Sequence, residues 1–367
     1  MAISLGRAGR WLASALVAFA VVGSAVEAVQ AEQLAKALFG SKRLPAATEA
    51  KSYGFYSKGC FSGGVAIATD GPTWQAMRLS RNRRWGHPAM INLLEKLSRD
   101  GTQIGWSGLL IGDISQPRGG PMLTGHASHQ IGLDADIWFT PMPDRRLTAT
   151  EREKMSAVTM VKGEGKNIRV DERRWTDSRL RLLKLAASYP EVERILVNPA
   201  IKKKLCDTAT GDRTWLRKVR PFWGHDYHFH IRIGCQPGST GCKEQSAPSA
   251  GDGCGEPLAW WFTDEPWRPN KNPDAPKARD VMTMASLPKA CSAVLAAPNP
   301  ESEQAVTIYG PGSRVMTATA PLQEAPAEQT AEVPLDNPPA AASAFSATPT
   351  IGIPVPRPRA NVPGNKR

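Results

Sequence analysis

The 367-residue sequence carries 46 Lys and Arg against 34 Asp and Glu, a formal charge of +12 at pH 7 with a pI near 9.6. That length accommodates a single globular domain of roughly 250 residues between removable ends, a size at which one core is still usual. The basic balance suits work on an anionic polymer; nucleic acid is the competing partner and is not expected, because no nucleic-acid-binding motif is present and the N-terminus reads as an export signal.

Arg7 and Arg10 precede the apolar stretch Trp11 to Val22, and Val29-Gln30-Ala31 offers small residues for cleavage. The stretch falls short of the ~20 residues a bilayer span needs, so residues 1–31 read as a signal peptide and the mature protein as periplasmic, without stable membrane insertion. A lead follows over 32–43. Six cysteines in an oxidising compartment imply a disulfide framework rather than a thiol nucleophile, with about fifteen pairings open to sequence reasoning.

Tyr53 to Thr69 reads as Gly-punctuated strands around Cys60. Trp85 to Asp100 reads as a helix, with Pro88 in its first turn, an Ile91, Leu94, Leu97 stripe and Gly101 as its stop. His87, just before Pro88, is expected to be structural. Arg78, Arg81, Arg83 and Arg84 form a basic run, ordinarily a solvated face, which could also meet carboxylates of a substrate. Gly108 to Ser115 is a strand entering the turn Gln116 to Pro121. Helices are expected over Thr148 to Val161 and over Asp177 to Tyr189, the latter capped by Asp177, and a strand over Arg194 to Asn198. Strands and helices mixed without βαβ alternation point to an α+β fold, a small antiparallel sheet flanked by helices and long loops. From 293 to 367 the composition turns to Ala, Pro, Glu, Ser and Thr, which cannot bury enough apolar surface to order itself. This tail is expected to be solvated; its Pro-Arg end is a candidate contact with an anionic polymer or a protein.

Chemistry concentrates in two runs. Of six histidines, five lie in Gly125 to Ile137 or in His225 to His230. Tyr227 to Gly234 alternates, so a strand sends Phe229, Ile231 and Ile233 to the core and His228, His230 and Arg232 to the opposite face. Asp134 to Phe139 reads as a second strand with Asp134 and Asp136 on one face, entered by a loop bearing His126 and His129. Imidazoles and carboxylates gathered this way suit a divalent metal with a coordination position open to water, whose pKa zinc lowers to about 7. Imidazole disfavours magnesium and calcium, and the absence of Cys-x-x-Cys disfavours a structural thiolate site; iron in a two-histidine, one-carboxylate set stays open. Asp134 serves as a ligand or as an acceptor orienting an imidazole.

His129 followed by Asp136, with the distant His228-Phe229-His230, resembles the core of the LAS metallopeptidases. Gly112-Asp113, Gly125 to Gln130, Asn198 to Lys202, Trp215 to Pro221 and Gly251 to Gly255, in this order, are similar to the penicillin-insensitive murein endopeptidase family. The resemblance runs from about Leu44 to Cys291, giving a domain at 44–292. It implies that His129, Asp136 and His230 hold one zinc ion, that His228 is the general base, and that His225 and His126 bind the oxyanion or orient substrate. It implies disulfides Cys60–Cys291, Cys206–Cys254 and Cys235–Cys242. Family members place Asp and His at the positions of Glu164 and Asn167 to bind a further metal; the histidine is missing here, so a second ion is not expected. The implied activity is hydrolysis of D-alanyl–meso-diaminopimelyl cross-links in peptidoglycan, insensitive to penicillin because no acylable serine is needed. The alternatives are a D,D- or L,D-carboxypeptidase acting on wall peptides and a non-enzymatic, zinc-containing wall-binding protein.

Overall fold

The computed structural model describes residues 33–269 and 271–308. The expected signal peptide and the part of the expected tail beyond residue 308 lie outside the described residues. The fold is α+β, built on a six-stranded sheet ordered Val219–Pro221, Val192–Val197, His228–Ile233, Asp134–Trp138, Leu109–Ile111, Trp74–Ala76. The four central strands run antiparallel to one another, while each edge strand pairs in parallel with its neighbour. Smaller two- and three-stranded sheets surround it.

The two chemistry-bearing strands are adjacent at the centre. His230 sits opposite Asp136, Arg232 opposite Asp134 and His228 opposite Trp138. Directly opposed residues share a face, so one face of this pair is polar. The other face carries Ala135, Ile137, Phe229, Ile231 and Ile233, which join one hydrophobic core with Leu94 and Leu97 of the helix Pro88–Gln103 and with Leu182 and Leu183 of the helix Asp177–Ser188. Alternation thus does what the sequence pattern asks, yet every residue of both strands is buried, because loops cover the polar face too.

Several elements differ from the sequence expectation. Trp85–Gly86 forms a short strand, and the helix starts at Pro88 behind His87, whose Nδ1 accepts from Ala89 N. Gly101 does not stop this helix; it lies in the last turn, which runs to Gln103, a position a glycine tolerates at a cost of about 1 kcal/mol. The expected helix over Thr148 to Val161 spans only Ala149–Lys154, opened by a capping box between Thr148 and Glu151. Its end is fixed by Arg78, whose guanidinium donates to the carbonyls of Arg152, Glu153 and Met155, a cation at the negative end of the helix dipole. Residue 161 instead enters a hairpin, Val161–Lys162 with Arg169–Val170. Asp177 is the first helical residue and Thr176 the cap position. A helix at Pro199–Thr208, capped by Asn198 accepting from Ala200 N, was not foreseen, and neither was the inward turn of Lys202, whose buried Nζ donates to the carbonyls of Leu216 and Asp252.

The packed body also reaches beyond 44–292. Ala35 and Phe39 of the helix Ala35–Gly40 are buried, and Thr307–Ile308 pairs in parallel with Val65–Ile67. The three disulfides join Cys60 to Cys291, Cys206 to Cys254 and Cys235 to Cys242. The first closes a separation of 231 residues and ties the end of the body to its beginning; closures of this kind contribute about 2–5 kcal/mol.

Candidate metal centre

Asp136 is the hub. Its Oδ1 lies 3.4 Å from His129 Nε2 and 3.3 Å from His230 Nδ1; its Oδ2 lies 3.5 Å from His126 Nδ1 and 3.5 Å from His228 Nε2. Four of the five clustered histidines therefore converge on one carboxylate. The fifth, His225, stands beside them, its ring 4.9 Å from that of His228 and 5.9 Å from that of His230.

The far side of each ring decides what the near side can do. His129 Nδ1 donates to the Ile114 carbonyl, and His230 Nε2 donates to Asp134 Oδ1 at 3.0 Å. Each of these imidazoles, when neutral, turns a bare nitrogen lone pair toward Asp136 Oδ1. Lone pairs facing a carboxylate oxygen repel unless a cation or a proton lies between them. Consistently, His129 Nε2 and Asp136 Oδ1 are buried atoms without a hydrogen-bond partner among the described residues. A metal-binding imidazole typically donates its other N–H to a carbonyl or carboxylate, so the donor set fits a divalent ion.

His129 is held for this purpose. Its φ of 68° lies in the left-handed region, unusual for a non-glycine residue, and its N–H donates to Asp134 Oδ2 at 2.9 Å. Asp134 is thus the orienting acceptor. Arg232 clasps both its oxygens, Nε at 2.7 Å and Nη2 at 3.1 Å. Burial opposes ionisation of Asp134, but the Arg232 guanidinium and His230 outweigh it and hold the carboxyl far below its ordinary range.

Asp136 is also ionised well below the usual carboxylate range: burial acts against this, and the surrounding His228, His126 and His129 win. Burial lowers His129 and His228 and so favours their neutral forms. His126 and His230 are raised despite burial, His126 chiefly by Asp136 and then Asp113, His230 chiefly by Asp134. His225 is pushed far down, first by burial and then by His228 and His230, and its Nδ1 donates to the Trp223 carbonyl at 2.8 Å.

Asp113 is the site residue whose role sequence reasoning missed. Its Oδ2 accepts from His126 Nε2 at 3.0 Å, from the buried Arg83 at 2.9 Å and from Arg81 at 3.1 Å. Arg83 also donates to the Thr124 carbonyl, tethering the loop that carries His126. Three of the four arginines of the basic run are accordingly turned inward, and Arg81 alone of the four is exposed. Arg83 is buried, Arg78 closes a helix end, and Arg84 donates to the Ile67 carbonyl and pairs with Glu303. Proximity of Asp113 to this run in space, not in sequence, creates the network.

Among the described residues, the ligand atoms of His126, His129 and Asp136 lie within 4.8 Å of one another, a second way to compose the donor set. Glu164 is not part of that group; it precedes the exposed turn Gly165–Asn167, where Lys166 pairs with Asp264.

A family model described as penicillin-insensitive murein endopeptidase matches residues 52–296, which include every residue of this cluster. The chain belongs to the penicillin-insensitive murein endopeptidase family. Relatives bearing that name include one from Haemophilus influenzae, 42% identical over 259 residues, covering 68% of this chain and 84% of the relative. One from Klebsiella pneumoniae is 42% identical over 251 residues, covering 68% and 88%, and one from Yersinia enterocolitica is 37% identical over 287 residues, covering 78% and 97%. No helix among the described residues is long and apolar enough to cross a membrane.

Proposed function

We propose that this protein is a zinc-dependent, penicillin-insensitive peptidoglycan endopeptidase of the periplasm, exported by a signal peptide at 1–31, that hydrolyses D-alanyl–meso-diaminopimelyl cross-links. The observation that carries the reading is the pair of imidazole nitrogens, His129 Nε2 and His230 Nδ1, turned toward Asp136 Oδ1 at 3.4 and 3.3 Å while the opposite nitrogen of each ring is committed to another acceptor. The relatives' shared name supports murein as the polymer cut.

His129, Asp136 and His230 are the residues that would hold the ion. When bound, zinc supplies Lewis acidity toward the scissile carbonyl and acidifies the attacking water. His228, kept neutral by burial, takes the proton from that water and returns it to the leaving amine. His126, drawn toward its protonated form by Asp136 and Asp113, is the better of the two expected oxyanion partners. His225, with Nδ1–H committed to Trp223, keeps Nε2 as an acceptor and so orients a donor of the substrate instead. A donor set of His126, His129 and Asp136 is the second reading, favoured by the mutual 4.8 Å limit; zinc content of His126→Ala against His230→Ala separates the two.

Digestion of purified sacculi, with products identified by mass spectrometry, tests the function. Splitting of cross-linked dimers is expected. Loss of terminal D-Ala alone means a carboxypeptidase, and unchanged sacculi mean a wall-binding protein.

A further inference from the structure

We propose that Arg81 reads a carboxylate on the substrate residue that supplies the leaving amine, and so makes that carboxylate a requirement for efficient cleavage. The inference rests on the hydrolase reading above and adds the chemical feature that the site selects.

Arg81 lies at the end of the short turn Leu79–Arg81, bounded by two non-glycine residues in the left-handed region, Arg78 at φ 56° and Asn82 at φ 52°. Such conformations persist only where surrounding structure enforces them, and they collect at functional sites. Here the enforcement is visible. Glu153 accepts from Ser80 N at 2.9 Å and from Ser80 Oγ at 2.8 Å, Arg78 is locked onto helix-end carbonyls, and Asn82 bridges the Arg43 carbonyl and Trp85 Nε1. The turn presents Arg81 in one place.

That place is the wall of the metal centre. A cavity of about 140 Å³ is lined by Arg81, Asp113, His126, Asp136, Tyr227 and His228. The Arg81 side chain is 47% exposed, whereas its partner Asp113 is 3% exposed and already bonded to the buried Arg83. Two guanidinium groups share one carboxylate, which leaves one positive charge facing the cavity. Only one side-chain nitrogen of Arg81, Nη1, is engaged among the described residues; the rest of its planar fork is open for a carboxylate, which guanidinium binds through two parallel bonds.

His228 on the same cavity wall fixes which part of the substrate comes there. It returns the proton to the leaving amine, so the residue bearing that amine lies on the Arg81 side. In the cross-link, the carbon that carries the amine of meso-diaminopimelate also carries a free carboxylate.

The test compares two cross-linked muropeptide dimers, one with this carboxylate free and one with it converted to the carboxamide, against the wild-type holoenzyme, Arg81→Ala and Arg81→Lys. A charged hydrogen-bonded contact is worth roughly tenfold to hundredfold in kcat/KM. The wild type is expected to prefer the carboxylate by about that factor. Arg81→Ala should lose the preference by slowing on the carboxylate substrate alone, with zinc content and melting temperature unchanged, and Arg81→Lys should fall between. Equal slowing on both substrates, or none on either, overturns the proposal; the first would mean that Arg81 acts only through Asp113. If the wild type cleaves neither dimer, the hydrolase reading fails and this inference goes with it.

Discussion

Asp134 and Asp136 stand two residues apart on one face of one strand, yet they inhabit different electrostatic worlds. Asp134 is met by the chain itself: Arg232 on both oxygens, His230 Nε2 and the His129 N–H. Asp136 is bordered by four imidazoles at 3.3 to 3.5 Å, and no guanidinium or ammonium pairs with it among the described residues. The first arrangement closes its own charge balance and serves as a frame. In the second, two imidazole nitrogens whose far sides are committed as donors face one carboxylate oxygen, an arrangement that calls for a cation or a proton between them.

Breaking the hub should have the largest effect. Asp136→Ala is expected to abolish both zinc binding and hydrolysis of cross-linked dimers, measured by elemental analysis and by turnover. Next comes His228, the proposed base. His228→Ala should lower kcat by about 10²- to 10⁴-fold while zinc stays bound; if zinc is released with the activity, His228 is a ligand and the assignment of roles is wrong.

Breaking the frame should look different from breaking the hub. Asp134→Ala leaves the buried Arg232 without its carboxylate and should cost about 3–5 kcal/mol in chemical denaturation, with zinc affinity reduced about 10- to 100-fold rather than abolished. A loss confined to activity, with stability intact, would erase the distinction between the two aspartates.

His87 sharpens the comparison from outside the site, as a buried imidazole that serves structure alone. Burial lowers it to about 4 from an ordinary 6.5. Below pH 6.5 the unfolded chain binds this proton and the folded chain does not, so the stabilisation present above 6.5 is lost as pH falls toward 4. The total is roughly 3 kcal/mol. His87→Asn, which keeps a capping acceptor, should remove that part of the acid sensitivity and leave hydrolysis at neutral pH unchanged.

These distinctions were unequally legible in the sequence. Period-two alternation placed His228, His230 and Arg232 on one face, and a strand reading placed Asp134 with Asp136, because strand geometry is local. The register that sets His230 against Asp136 is not local, and neither is Asp113, which meets Arg81, Arg83 and His126 only through folding. Helix ends were misplaced for the same reason. The helix at Ala149–Lys154 is closed by Arg78, a residue more than seventy positions away, and Gly101 stays helical while Gly105, at φ 80°, takes the left-handed position just past the end of its helix. The inward Lys202 carried no sequence signal, since lysine ordinarily faces water.

Crystals soaked with zinc and measured on both sides of its absorption edge address the central claim most directly. The expected result is one anomalous peak per chain, about 2.0–2.2 Å from His129 Nε2, His230 Nδ1 and an oxygen of Asp136. No peak at Asp136, in a protein that still cuts cross-linked dimers, would contradict it.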